Sequence, residues 1–198
     1  MAKYKKKNNF LILIGGISSA GKTTLGDAIL RTHPDFEFFD NDRERRRLLG
    51  LALGIPFPPD AFTPSMHEKL GEEIRRRAQD VLVAGKTAVV SGIFFAPELI
   101  MLYERLAQTA GVEFIGLWLE AELPVLFAHA ASRTQDLNNP SSAGCDVIAQ
   151  QMLQKPCAHK GWHILDANQP ADKVCSDALK IIRAKLQGPI ASGFTLKS

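Results

Sequence analysis

Two rhythms of apolar and polar positions run along this chain, and the switches between them mark its elements. Residues 10–14, Phe-Leu-Ile-Leu-Ile, form a continuous apolar run closed by a Gly pair, as expected of a central strand covered on both faces. A helical stretch over 23–32 stops at the proline after His33, because the residue before proline is pushed out of the helical region. Residues 36–39 read as a second short strand, and 42–51 as a basic helix with Asp at its start and Gly50 near its end. Met66, Leu70, Ile74 and Val81 mark one face of a helix over 65–83. Strands are then expected at 87–90, 112–119 and 162–165, and helices at 97–109, 123–132, 145–154 and 171–186. This alternation is the signature of an α/β domain with a mainly parallel sheet. Between these elements, Pro56, Pro58, Pro59 and Pro64 exclude regular helix or central strand over 52–64, leaving a loop with an apolar tip of Ile55, Phe57 and Phe62. Residues 133–144, rich in Asn, Ser, Pro and Gly, read as a mobile loop. Residues 1–9 are expected to be a disordered basic tail and 187–198 a C-terminal tail, so that 10–186 make one domain with no internal repeat or linker.

Composition narrows the class. A chain of 198 residues, 45% apolar and 23% charged, buries roughly 70% of its unfolded surface and needs no disulfide or metal staple. No apolar run approaches the roughly 20 residues of a membrane-spanning helix, and no secretory cleavage pattern follows the first lysines; the expected location is the cytoplasm. The formal charge is +3, but Lys3, Lys5, Lys6 and Lys7 supply an excess that the rest of the chain lacks. A near-neutral body argues against a nucleic-acid binder, whose basic surplus lies on the folded surface. Three cysteines suggest no disulfide scaffold, and Cys157, His159 and His163 match no common zinc spacing. The run Arg75-Arg76-Arg77 reads as a solvated helix face.

The chemistry-bearing segment is Gly16-Ile-Ser-Ser-Ala-Gly21-Lys22-Thr23, which matches G-x-x-x-x-G-K-[ST] between an expected strand and an expected helix. Small residues let successive backbone N–H groups turn inward around phosphate oxygens, and the helix N-terminus adds partial positive charge. The residues assigned to the nucleotide are Gly16, Ser18, Ser19, Ala20, Gly21, Lys22, Thr23 and Thr24. Lys22 brings a full charge to the outer phosphates, and the Thr23 hydroxyl is a Mg²⁺ ligand. Strand ends in a parallel sheet meet at one rim, so Asp40 and Asp42 are expected to face those phosphates. Asp40 is assigned to hydrated Mg²⁺, and Asp42 to taking the proton of an attacking hydroxyl. The alternative for either aspartate is a helix cap. The strand ending Ser91-Gly92 carries no acid, which weighs against a hydrolysing switch or motor.

Leu11 to Thr23 closely resembles the start of the chloramphenicol phosphotransferase-like kinases, and Asp42-Arg43-Glu44-Arg45 is similar to the Asp-x-x-Arg element of zeta toxin-like kinases. Trp118-Leu-Glu120, Arg133, Gln150 and Asp166 fall where this group, which includes gluconate kinase, has its fourth strand, lid arginine, post-lid glutamine and last strand. The resemblance spans about 10–186. It implies a three-layer P-loop NTPase of the nucleoside monophosphate kinase-like kind, with a five-stranded parallel sheet in the order 2-3-1-4-5 and a lid at about 133–145. It also implies ATP and Mg²⁺ as cofactors, Asp42 as base and Arg45 in acceptor binding, with Arg46 nearly as well placed one residue on. Arg133, the only Arg or Lys between Arg105 and Lys155, is the implied lid cation that joins Lys22 and Asp42 in catalysis. The chain departs from the group at His129, where relatives commonly have arginine, and at Ser91 or Gly92, where many have Asp.

The leading expectation is an ATP-dependent kinase acting on a hydroxyl of a small molecule of antibiotic, sugar or nucleotide-sugar type. The acceptor would lie among Asp42, Arg45, the loop at 55–62 and Phe94-Phe95. The alternatives are a polynucleotide 5′-hydroxyl kinase, using the arginines at 43, 45, 46 and 47, and a nucleotide-binding module without transfer activity.

Overall fold

A computed structural model describes residues 9–133, 144–154 and 156–187, with the Arg133 side chain excepted. Five strands, β1 (Phe10–Gly16), β2 (Glu37–Asp40), β3 (Ala88–Ser91), β4 (Glu113–Glu120) and β5 (His163–Asp166), form one sheet in the order β2-β3-β1-β4-β5. Every pairing is parallel, so all five C-terminal ends reach the same rim. The described helices are α1 (Lys22–Thr32), α2 (Asn41–Leu49), α3 (Pro64–Val83), α4 (Pro97–Ala110), α5 (Leu123–Arg133), α6 (Cys145–Met152) and α7 (Ala171–Gln187).

The continuous apolar run becomes the central strand because it must face two cores. Phe10, Ile12 and Ile14 pack with Leu25 and Ile29 of α1 and Ala178 and Ile182 of α7. Leu11 and Leu13 face Leu70, Ile74 and Ala78 of α3 and Tyr103 and Ala107 of α4. All seven residues of β1 are buried. β5 begins at His163, one residue after the expected start, and the ring of Trp162 packs over Gly116, where a Cβ would collide with the indole. Helices covering both faces of a parallel sheet complete a three-layer α/β fold.

The loop expected over 52–64 contains a single 3-10 turn, Pro59–Phe62. Two adjacent arginines of α2 hold it. Arg46 Nη1 donates to the carbonyls of Ala52 and Ile55 at 3.1 and 2.6 Å, and its guanidinium lies over Phe57. Arg45 Nη1 donates to the Ala61 carbonyl at 2.7 Å and covers Phe62. The Arg75–Arg77 run is only partly a solvated face: Arg76 pairs with Glu73 and Asp80, while Arg77 pairs with Glu44 and covers Phe39. The segment expected as lid, apart from its ends, lies outside the described residues, as do 1–8 and 188–198.

Candidate active site

The loop joining β1 to α1 bends under steric rules that its sequence meets. Gly16 has φ +144°, and a Cβ there would sit 2.8 Å from the Leu119 carbonyl oxygen. Gly21 supplies the left-handed N-cap of α1 with φ +95°. Ser19 is left-handed as well, with φ +72°, a conformation that costs a non-glycine residue roughly 1 kcal/mol or more. Lys22 turns back over the loop, its Nζ donating to the carbonyls of Gly16 at 2.9 Å and Ile17 at 2.7 Å.

Asp40 ties this loop to the sheet. Its Oδ2 accepts from Thr23 Oγ1 at 2.8 Å and from Ser91 Oγ at 2.9 Å. Its Oδ1 accepts from the backbone N–H groups of Asp42 and Arg43 at 3.1 and 3.2 Å, which caps α2. Asp40, rather than Asp42, is therefore the helix cap. Asp40 and Ser91 are register partners across β2 and β3, so a carboxylate stands beside the end of the third strand.

Asp42 stands in the first turn of α2, with Arg45 Nε 3.9 Å from its Oδ1. Arg45 is buried, its Nε has no hydrogen-bond partner, and burial lowers its pKa while Asp42 raises it. Arg43 makes a two-pronged pair with Asp27 at 2.6 and 2.8 Å, which raises its pKa. Arg47 pairs with Glu44 and Glu73.

A cleft of about 920 Å³ opens beside these groups, at the upper end of the range for small-molecule sites. It runs across the strand ends from the β2 side to the β5 side. Ser18 to Leu25, Asp40, Asp42 and Arg45 all border it. Toward β2 its wall continues through Phe62, His67, Gly92 and Ile93; toward β5 it continues through Ala167, Pro170, Val174 and Cys175. His67 stacks edge-on to Phe62 and, although partly exposed, is held below its ordinary pKa by partial desolvation and then by the charge of Arg45.

Most of the sequence-assigned residues converge here, but Gly16, Phe94 and Phe95 do not border the cleft, and two others differ from expectation. Arg46 does not border the cleft: its guanidinium is engaged by the 52–62 loop. Arg133 ends α5, but its side chain lies outside the described residues. Sequence reasoning missed Asp27, His67 and Gln151, all of which border the cleft. Gln151, not Gln150, touches the phosphate loop, accepting from the Ser18 N–H at 2.9 Å and donating to Ser18 Oγ at 3.0 Å. His129, in the position noted as a departure, meets the Ser19 carbonyl through Nδ1 at 3.1 Å.

A magnesium ion fits this donor set. Among the described residues no cluster of three or more His, Cys, Asp or Glu could hold a metal unaided. Thr23 hydroxyl with Asp40 behind it suits an ion that takes its other ligands from phosphates and water.

A parallel sheet in the order 2-3-1-4-5, with a phosphate loop after its central strand, defines a P-loop kinase fold. A family model described as an AAA domain matches residues 11–155, and the chain belongs to that family. A search of curated proteins finds no match. Among solved structures, a sugar kinase from Janibacter sp. HTCC2649 is similar with a TM-score of 0.59 and 15% identity, covering 89% of this chain and 95% of that one. A gluconokinase from Sinorhizobium meliloti 1021 gives a TM-score of 0.57 and 18% identity, with 92% and 94% covered. The Mycobacterium tuberculosis APS kinase in complex with AMPPNP and APS gives 0.59 and 14%, with 89% and 99% covered. At such identities the likeness is one of fold. No described helix is long and apolar enough to cross a membrane.

Proposed function

We propose that this protein is an ATP-dependent phosphotransferase that moves the γ-phosphate to a hydroxyl of a small molecule of antibiotic, sugar or nucleotide-sugar type. The observation that carries this reading is that Asp42 opens onto the cleft bordered by the phosphate loop. The triphosphate would lie on the N–H groups of Ser19 to Thr24, with Lys22 exchanging its two carbonyl partners for phosphate oxygens. Thr23 would hold Mg²⁺ directly and Asp40 through Thr23 or water, and the ion would neutralise charge on the triphosphate. The acceptor oxygen attacks the γ-phosphorus, its bond to the bridging oxygen breaks, ADP leaves, and the acceptor proton passes to the Asp42 carboxylate. Arg45 places positive charge beside Asp42 and faces the acceptor, and Arg133 is the proposed closing cation.

The sugar kinase, gluconokinase and APS kinase named above support a kinase reading. The arginines at 43, 45, 46 and 47 have intramolecular partners, which favours a small acceptor over a polynucleotide strand. The carboxylate beside Ser91 favours transfer over nucleotide binding alone.

The test is a screen with γ-labelled ATP against pooled antibiotics, sugars, sugar nucleotides, nucleosides and oligonucleotides with free 5′-hydroxyl ends. A labelled small-molecule product is the expected outcome; nucleotide binding without product from any pool overturns the transfer reading. With that acceptor, Lys22→Ala should abolish transfer and weaken ATP binding, and wild-type turnover in this variant would remove its phosphate role.

A further inference from the structure

Ser18 and Ser19 lie in the middle of the phosphate loop, in a turn closed by the Ala20 N–H on the Ile17 carbonyl at 3.2 Å, and side chains from far along the chain hold them as well. Gln151 is a buried amide on the short helix α6. Its side chain meets Ser18 twice, through the backbone N–H and through the hydroxyl. His129 on α5 meets the next residue, and an accepting carbonyl there requires the proton on Nδ1. Ser19 between these contacts is left-handed without being glycine, and its own hydroxyl oxygen is buried without a hydrogen-bond partner. Such a conformation persists only where the surroundings over-determine it. Three contacts supply that surrounding: the turn bond from the Ala20 N–H to the Ile17 carbonyl, Gln151 on the Ile17–Ser18 peptide, and His129 on the Ser19–Ala20 peptide.

Resting on the nucleotide-binding reading above, we infer that Gln151 is a positioning residue of the phosphate loop. It holds Ser18 so that Ser19 keeps its left-handed turn, and the N–H groups that follow keep pointing into the cleft. Gln151 reaches the phosphates through Ser18 and Ser19 rather than by contact with them. Helix phase agrees with this. Ile148 is fully buried one turn earlier on the same face of α6, whereas Gln150 is exposed. An apolar side chain would fill the position of Gln151 as a core residue, but it would leave the Ser18 N–H without its acceptor.

The experiment titrates the full chain with AMP-PNP and Mg²⁺ by calorimetry, with thermal unfolding measured in parallel. Gln151→Ala should weaken binding by about tenfold through the loss of two hydrogen bonds. If that variant does not fold, Gln151→Met fills the volume without either bond, and the same loss is expected of it. The decisive arm adds Ser19→Gly, because glycine adopts φ +72° without steric cost. The Gln151→Ala, Ser19→Gly double variant should bind at least about threefold more tightly than Gln151→Ala alone. Wild-type affinity in the Gln151 variants, or weakened affinity with no recovery in the double variant, overturns the inference and leaves the nucleotide reading standing. Failure of the wild-type chain to bind AMP-PNP overturns both.

Discussion

Asp40 and Asp42 sit two residues apart and are asked to do different work. Asp40 receives Thr23 from α1, Ser91 from β3 and two N–H groups of α2, so its role begins with holding the site together. Asp40→Asn turns an amide donor or a lone acceptor toward groups that need a carboxylate, and should destabilise the fold by roughly 1–3 kcal/mol in urea unfolding. Asp42 is partly exposed in the cleft, and its backbone rather than its side chain takes part in the cap. Asp42→Asn should leave stability and ATP affinity nearly intact while turnover falls by about 10²–10⁴-fold, the usual contribution of a positioned base. Unchanged turnover would reduce Asp42 to a charge partner of Arg45. His67 gives the same cleft a pH signature. Its pKa is depressed in the folded state by partial desolvation and by Arg45, so as pH falls through about 6.5 the unfolded chain takes up the proton first. Stability that is complete above that value is therefore lost below it. Urea unfolding between pH 8 and pH 5 should show the wild type losing more stability than His67→Gln; parallel curves for the two would mean that His67 is not shielded.

Among the elements, α2 carries the most varied duties. Its first turn holds Asp42, and its next turn holds the two arginines that hold the proline-rich loop. Arg46→Ala would leave the carbonyls of Ala52 and Ile55 without their donor and uncover Phe57, at a cost of about 2–3 kcal/mol. Arg46→Lys keeps the charge but loses the planar fork and should recover only part of that. Thermolysin cleavage around Leu53 and Ile55, both exposed, should quicken in Arg46→Ala before global unfolding; an unchanged cleavage rate would show that the loop is held by other means. The strands and helices themselves were legible from periodicity, and their ends fell within a residue or two of expectation. What α2 does with its arginines was not. The i,i+3 and i,i+4 spacings place Arg45 and Arg46 beside Asp42, but no local pattern says that a guanidinium will be drawn to loop carbonyls instead. The same limit hid Gln151. Gln150 and Gln151 are alike as letters, and only the phase set by Ile148 separates the buried one from the exposed one. Asp40 lies at the rim because it ends a parallel strand, but its bond to Ser91 follows from strand order and register, which adjacency in sequence does not contain.

At the scale of the molecule, the parallel sheet decides where chemistry can occur, and charge decides what kind of partner suits that place. All five strands end at one rim, so residues from the loops after β1, β2, β3 and β5 border a single cleft although they span more than 150 positions of sequence. The cations there are balanced locally. Arg43 faces Asp27, Arg45 faces Asp42, and Lys22 lies on the phosphate loop. The basic excess of the chain belongs to the first seven residues rather than to the folded body. A strand of nucleic acid held by six to ten phosphate contacts would lose about 10³–10⁵ in affinity between 50 and 200 mM salt. A small neutral hydroxyl compound releases no counterions, and screening over a cleft this compact changes little. For a neutral antibiotic or sugar acceptor, the KM at saturating ATP and Mg²⁺ should therefore move by less than about twofold between 50 and 200 mM KCl. Deleting residues 1–8 should leave that value unchanged as well. A KM that climbs steeply with salt in the full chain, and loses the slope on truncation, would instead make the basic tail part of acceptor binding and point to a polyanionic substrate.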